Sequence, residues 1–341
     1  VRDIVVKTMT EDYGNPSAKH RKGMEAEQYV RQAAADIAKT LKVRDKEILF
    51  TSGGTESNNM ALIGTAMANQ RAGKHIISTR IEHASVYSPL AYLEQQGFEV
   101  TYLSVDSQGH ISLEELEAAI RPDTILVSIM YVNNEVGAIE PVEQIASLIH
   151  GKNPAILFHV DAIQAYGKLT IRPKKQGIDL LSVSGHKIHA PKGVGALYLS
   201  DRLVQAFQPP YLGGEQERGL RPGTENLPYA LGLAAAATRL AGSIKSRDKA
   251  VRALNDRLRA GLSVFPEVEI NSPAGAVPEV LNFSENCIKS ETMLAWLSEK
   301  QIYVSSASAC GRGQPSHTLA AMGRDPLAID TAIRVSFCAD N

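Results

Sequence analysis

The chain holds 341 residues, 44% of them hydrophobic, enough for one large core or two domains. Lys plus Arg (36) nearly balance Asp plus Glu (37), so bulk charge favours neither nucleic acid nor an anionic membrane. No apolar run approaches the roughly 20 residues of a membrane helix, and three cysteines, Cys287, Cys310 and Cys338, make no disulfide framework and fit a reducing cytoplasm.

In chain order, apolar strand-like runs alternate with helix-like segments. "EILFTSGG" leads into "TESNNMALIGTAMANQ", and "KHIISTR" precedes "SVYSPLAYLEQQG". "TILVSIMYVNNE" precedes "PVEQIASLIHG", "AILFHVDA" precedes "IQAYGK", and "IDLLSVSGHK" follows. Short apolar strands separated by helical patterns predict an α/β fold with a mainly parallel sheet, covered by helices on both faces. The texture changes near Ser243. A charged helix, "KSRDKAVRALNDRLRAGL", leads into "EVEINSP", "EVLNFS", the helix "ETMLAWLSEKQ" and "IYVSSAS". We therefore expect a large domain over residues 1–242 and a smaller α/β domain over 243–341. Residue 1 is Val and the last strand-like run, "RVSFCADN", has no covering element, so segments beyond both ends are expected.

In open α/β sheets, ligands gather at the carboxyl ends of the strands. Lys187 follows "DLLSVS", Asp161 ends "AILFHV", and "TSGGTES" joins a strand to its helix. Each alone has an ordinary reading: a solvated lysine, a helix-capping aspartate, a simple turn. Together they suit pyridoxal phosphate. Its aldehyde needs a lysine amine, its ring nitrogen a carboxylate, and its phosphate the N–H groups of a helix N-terminus. His186 and His189 lack companions at metal-ligand spacing, so no metal site is expected, and His159 inside "ILFHVD" reads as a core histidine or as one that supports a site residue.

The series "YGNPSAKHRKG", "ILFTSGGTESNNMAL", "IEHASV", "ILVSIMYVNNEVGAIEP", "FHVDAIQAYGK", "LLSVSGHKIHAPKGVGALY", "LGGEQERGLRPGTEN", "SSASAC" and "AIRVSF" spans nearly the whole chain. It resembles the class V aminotransferases of pyridoxal-phosphate fold type I, and within them the cysteine desulfurases of the NifS/IscS kind. The resemblance implies a seven-stranded large-domain sheet and assigns roles. Lys187 would carry the cofactor covalently and Asp161 would pair with its ring nitrogen. Gln164 would hydrogen-bond the ring oxygen, and His83 would stack on the ring and move protons. Gly54 and Thr55 would hold the phosphate with Ser184 and His186, while Thr224 would reach it from the other subunit of a homodimer. Asn134, also beside the cofactor, and Arg334 would grip the substrate carboxylate, a task suited to the planar arginine fork.

Cys310 is the residue expected to decide the reaction. It sits among small residues, in a segment expected to be an exposed loop. By resemblance its thiolate would take sulfur from L-cysteine as a persulfide, leaving L-alanine. Arg312 and His317 stand near it in the sequence, and a cation there would lower the thiol pKa. The loop "CGRGQPSH" is shorter than in the longer-loop members, which leaves the acceptor open between an iron–sulfur scaffold and a tRNA-thiolation enzyme. No direct nucleic-acid or membrane contact is expected. The competing readings are a selenocysteine lyase, a desulfinase, a small-substrate aminotransferase, which has no need of Cys310, and a non-catalytic scaffold that binds a sulfur carrier. The resemblance also implies an N-terminal "LDNAATT"-like segment that these residues lack.

Overall fold

A computed structural model of the chain describes residues 1–203, 207–306 and 315–339. Helices α1 (Arg2–Thr10) and α2 (Arg21–Leu41) precede strand β1 (Ile48–Thr51) and α3 (Gly54–Asn69). Then β2 (His75–Thr79), α4 (Ala84–Gln95), β3 (Glu99–Leu103), α5 (Leu113–Ala119), β4 (Thr124–Met130) and α6 (Val142–Lys152) follow. Next come β5 (Leu157–Asp161), α7 (Pro173–Gln176), β6 (Leu180–Ser184), β7 (Gly195–Leu199), α8 (Leu227–Ala241) and α9 (Ile244–Leu262). The last elements are β8 (Glu269–Ile270), β9 (Val280–Ser284), α10 (Ser290–Glu299), β10 (Ser305–Ser306), α11 (His317–Ala321), α12 (Pro326–Asp330) and β11 (Ala332–Ser336).

The first seven strands form one sheet in the order β1-β7-β6-β5-β4-β2-β3. Strands β6, β5, β4, β2 and β3 are mutually parallel, whereas β7 runs antiparallel to both β6 and β1. Two reversals restore the direction, so β1 points the same way as β6. The central strands are buried on both faces and their side chains alternate between two cores. Phe158 and Val160 of β5, with Leu181 and Val183 of β6, meet the layer that includes Ile37, Ile145 and Leu233. Leu157 and Leu180 face the opposite layer, with Met60, Leu62, Leu90 and Leu93 of α3 and α4. This period of two over an all-apolar run is the signature of a sheet covered on both sides. The stretch "IQAYGK" departs from the helical expectation. Residues 163–165 form a turn, Tyr166 makes an isolated bridge to Leu169, and Gly167 between them has φ +78°, in the left-handed region.

The remaining strands form an antiparallel sheet in the order β10-β11-β9-β8. Val277, just before β9, and Val280, its first residue, pack on the main core. A small cluster of Val136, Ala138, Leu319, Met322 and Ala332 joins the β4–α6 connection to α11 and β11. The second sheet is thereby held against the carboxyl edge of the first.

Candidate active site

Because β1 is parallel to β2, β4, β5 and β6, the connections leaving all five strands open on one edge of the sheet. Gly54 and Thr55 follow β1, His83 follows β2, Asn134 follows β4, Asp161 ends β5, and Ser184, His186 and Lys187 end and follow β6. All of these, with Gln164 and Arg334, line one cavity of about 200 Å³. Met130, Val132 and Ile163 supply its apolar wall. Ten of the eleven cofactor- and substrate-binding positions expected from the sequence therefore converge. Thr224 is the exception: it lines a separate surface cavity with Ser52, Glu56 and Arg221. Arg221 grips Glu56 of α3 at 2.8 and 3.2 Å, which ties the segment before Thr224 to the first turn of that helix. Cys310 and Arg312 lie outside the described residues.

The turn into α3 is shaped for close approach. Gly53 adopts φ +152°, which side-chain-bearing residues avoid, and a Cβ on Gly54 would stand 2.2 Å from Cδ1 of Ile163. The helix then starts with backbone N–H groups that have no intrahelical partner, an arrangement that attracts anions.

Asp161 is buried, yet both of its oxygens are engaged. Oδ1 accepts from the Ile163 N–H at 2.9 Å, and Oδ2 accepts from Nδ2 of Asn58 at 2.8 Å. Burial raises its pKa despite these bonds and the nearby His83. The Nδ2 of Asn58 also donates to Oγ of Ser85 at 2.9 Å, and that hydroxyl stands 2.8 Å from Nδ1 of His83. The backbone N–H of Ser85 donates to the same Nδ1 at 3.1 Å, with His83 capping α4. A nitrogen that accepts from a backbone N–H carries no proton, so neutral His83 has its hydrogen on Nε2. Burial lowers the His83 pKa and Lys187 adds to that effect, opposed by Asp161, so the neutral imidazole is favoured. The chain Asp161–Asn58–Ser85–His83 thus fixes a carboxylate, an imidazole tautomer and their relative placement.

Beneath this lies Glu82, fully buried, which accepts from Thr79 Oγ1 at 2.9 Å and from the Met130 N–H at 2.8 Å. Burial, with Asp161 and Glu140 nearby, pushes its pKa well up. The Nε2 of His317 donates to the Glu82 carbonyl at 2.9 Å. Ser184 Oγ lies 2.9 Å from Nδ1 of His186, and Nη1 of Arg334 donates to the Asn134 carbonyl at 2.9 Å. Sequence reasoning missed Asn58, Ser85 and Glu82. The one available signal was a polar Asn58 among apolar positions of α3, a helical turn past the glycines.

These groups place an amine, a buried carboxylate, an imidazole and an anion-binding turn around one small volume. The aminotransferase class-V family model matches residues 1–341. The chain belongs to this family. The class-V chain is 46% identical to the cysteine desulfurase 2 of Trichormus variabilis over 334 residues, covering 96% of this chain and 82% of that protein. Among solved structures, a NifS-like protein superposes with a TM-score of 0.94 at 39% identity, over 99% of this chain and 90% of its own. The structure of SspA in complex with cysteine gives a TM-score of 0.87 at 34% identity, over 98% and 94%. The seven-stranded, mainly parallel sheet of this class-V chain and its flanking helices match the expected fold. No helix among the described residues is long and apolar enough to cross a membrane.

Proposed function

We propose that this chain is a pyridoxal-phosphate-dependent cysteine desulfurase, converting L-cysteine to L-alanine while sulfur passes to Cys310 as a persulfide. The observation that carries the reading is the convergence of Lys187, Asp161 and the Gly54–Thr55 turn on one cavity. The donor set fits the coenzyme. A buried carboxylate whose pKa is raised lacks a cation, and a protonated ring nitrogen would supply one. The Gly53–Gly54 turn offers N–H groups to a phosphate, and Lys187 lines the same cavity. The desulfurase relative and the cysteine-bound neighbour support the choice of substrate.

When bound, pyridoxal phosphate supplies an aldehyde that links to amines and a ring that stores an electron pair. The protein does the rest. Arg334 and Asn134 hold the substrate carboxylate and so orient its α-carbon toward Lys187. The Lys187 amine takes the α-proton and returns it, and Asp161 keeps the ring nitrogen protonated. His83, with Nδ1 committed to Ser85, carries protons on Nε2. The Cys310 thiolate attacks the sulfur of the substrate; the Cβ–S bond breaks, an S–S bond forms, and the released pair takes a proton at Cβ. One thiol and one cysteine thus give one persulfide and one alanine, with no external oxidant.

Thr224 would complete the phosphate site of a second copy, which makes the working form a homodimer. The polypeptide would divide near residue 242 into a cofactor domain and a smaller domain, act in the cytoplasm, and pass sulfur to an iron–sulfur scaffold or a tRNA-thiolation enzyme. Incubation with L-cysteine tests the reading: alanine and protein-bound sulfane sulfur should appear in equal amounts. Cys310→Ser should abolish the sulfur while leaving coenzyme absorbance intact. A keto-acid product with no bound sulfur would instead make the protein an aminotransferase.

A further inference from the structure

Gln164 stands in the wall between two adjoining cavities, each of about 200 Å³. The first is the candidate site, and the second is lined by Lys168, Arg247, Glu279 and Phe337 among others. Nζ of Lys168 donates to Oε1 of Gln164 at 2.8 Å. A lysine ammonium only donates, so the glutamine oxygen is the end that must face it. The glutamine NH₂ makes no hydrogen bond among the described residues, although Gln164 lines the site cavity.

The backbone beneath Lys168 is held firmly. Gly167 takes φ +78°, and a Cβ there would stand 3.0 Å from Ile188. Its carbonyl accepts from Arg247 Nη1 at 3.1 Å, and the preceding Tyr166 hydroxyl is 2.6 Å from Oγ1 of Thr40. Glu279 attracts the Lys168 cation, while Lys187, Arg247 and Arg334 repel it. Burial is the largest influence and brings its pKa down to about 8, which leaves it mostly charged at neutral pH.

We propose that Lys168 is a positioning residue: it pins the Gln164 amide so that its NH₂ end faces the active-site cavity and offers hydrogen bonds to an acceptor there. The inference rests on the coenzyme reading above, in which that acceptor is the ring oxygen of pyridoxal phosphate. A donor facing that oxygen stabilises its deprotonated form. With the lysine gone, the amide can turn, present its own oxygen, and favour the protonated form.

The experiment loads the full-length protein and its variants with pyridoxal phosphate and reads two absorption bands. The longer-wavelength band reports a deprotonated ring oxygen, the shorter one a protonated oxygen. Lys168→Met is expected to move the ratio about tenfold toward the protonated form, the equivalent of ~1.4 kcal/mol, or one hydrogen bond. Lys168→Arg, which keeps a donor-only cation, should retain the parent ratio. In a Gln164→Ala background, adding Lys168→Met should change nothing further. An unmoved ratio in Lys168→Met overturns the proposal, as does an equal shift in the Gln164→Ala background, which would mean the charge acts directly. If the methionine variant does not fold, Lys168→Gln, whose amide can accept as well as donate, must shift the ratio in the same direction or the proposal fails. A parent protein that takes up no coenzyme overturns the reading of the site itself. A coloured parent with an insensitive position 168 overturns this inference alone.

Discussion

Asn58 and Asp161 are 103 residues apart in sequence and joined by a hydrogen bond of 2.8 Å, Nδ2 donating to Oδ2. Through Ser85 the same amide reaches His83, so one side chain organises both polar walls of the cavity. Replacing it leaves a buried carboxylate oxygen without a partner, which costs about 1–3 kcal/mol.

Asn58→Leu is therefore expected to destabilise the coenzyme-free protein by that amount in denaturant titration. The loss has a pH sign. Asp161 already titrates above its unfolded value, so it favours folding at low pH and opposes it once ionised. Losing the Asn58 donor raises that pKa further. The destabilisation should be larger at pH 8 than at pH 5, and equal losses at both would contradict the network.

Glu135 links the β4–α6 connection to α11. Its carboxylate accepts from the hydroxyls of Ser316 and Thr318, and burial raises its pKa against these bonds and the nearby His317 and Arg334. Glu135→Ala should cost about 1–3 kcal/mol, since it removes the acceptor of two buried hydroxyl donors, although Ser316 Oγ still accepts from the Leu319 N–H. Glu135→Gln, which keeps an acceptor and the volume, should cost less. An alanine variant as stable as its parent would remove Glu135 from this role.

Much of the architecture was legible because buried parallel strands write themselves as short apolar runs. "TILVSIM" and "DLLSVS" became β4 and β6, and their ends marked the site. The reversal at β7 was not legible, since Gly195–Leu199 is as apolar as its parallel neighbours and direction leaves no mark in such a run. The "IQAYGK" stretch carries helix-compatible residues, but Gly167 at positive φ breaks them into turns. Lys187, Asp161 and the glycine turn were visible from position along the chain. Asn58 and Ser85 were not, because each matters through a partner that folding brings near. Asn58 pairs across 103 residues, and a period-based reading sees it as an indifferent helix position.

His159 is a buried histidine held between two serines. Its ring lies between hydroxyls of Ser128 and Ser182 at 2.8 and 2.9 Å, and burial lowers its pKa to about 3. The folded value lies below the unfolded one, so the unfolded chain binds the extra proton between pH 3 and about 6.5. Stability from this group is intact above pH 6.5 and falls as the solution is acidified. Because one proton is involved, the slope is at most about 1.4 kcal/mol per pH unit. His159→Gln, which keeps polar ends for both serines, should flatten the dependence of stability on pH between 6 and 4. An unchanged slope would mean other groups dominate acid unfolding.

The proposed chemistry depends most on the amine at position 187. The direct measurement is to load the protein with pyridoxal phosphate, reduce with borohydride, digest, and locate the modified lysine by mass spectrometry. The expected result is a single coenzyme-bearing peptide containing Lys187, absent from Lys187→Ala. A label on Lys168 or on surface lysines alone, or no retained label, would contradict the assignment and the chemistry built on it.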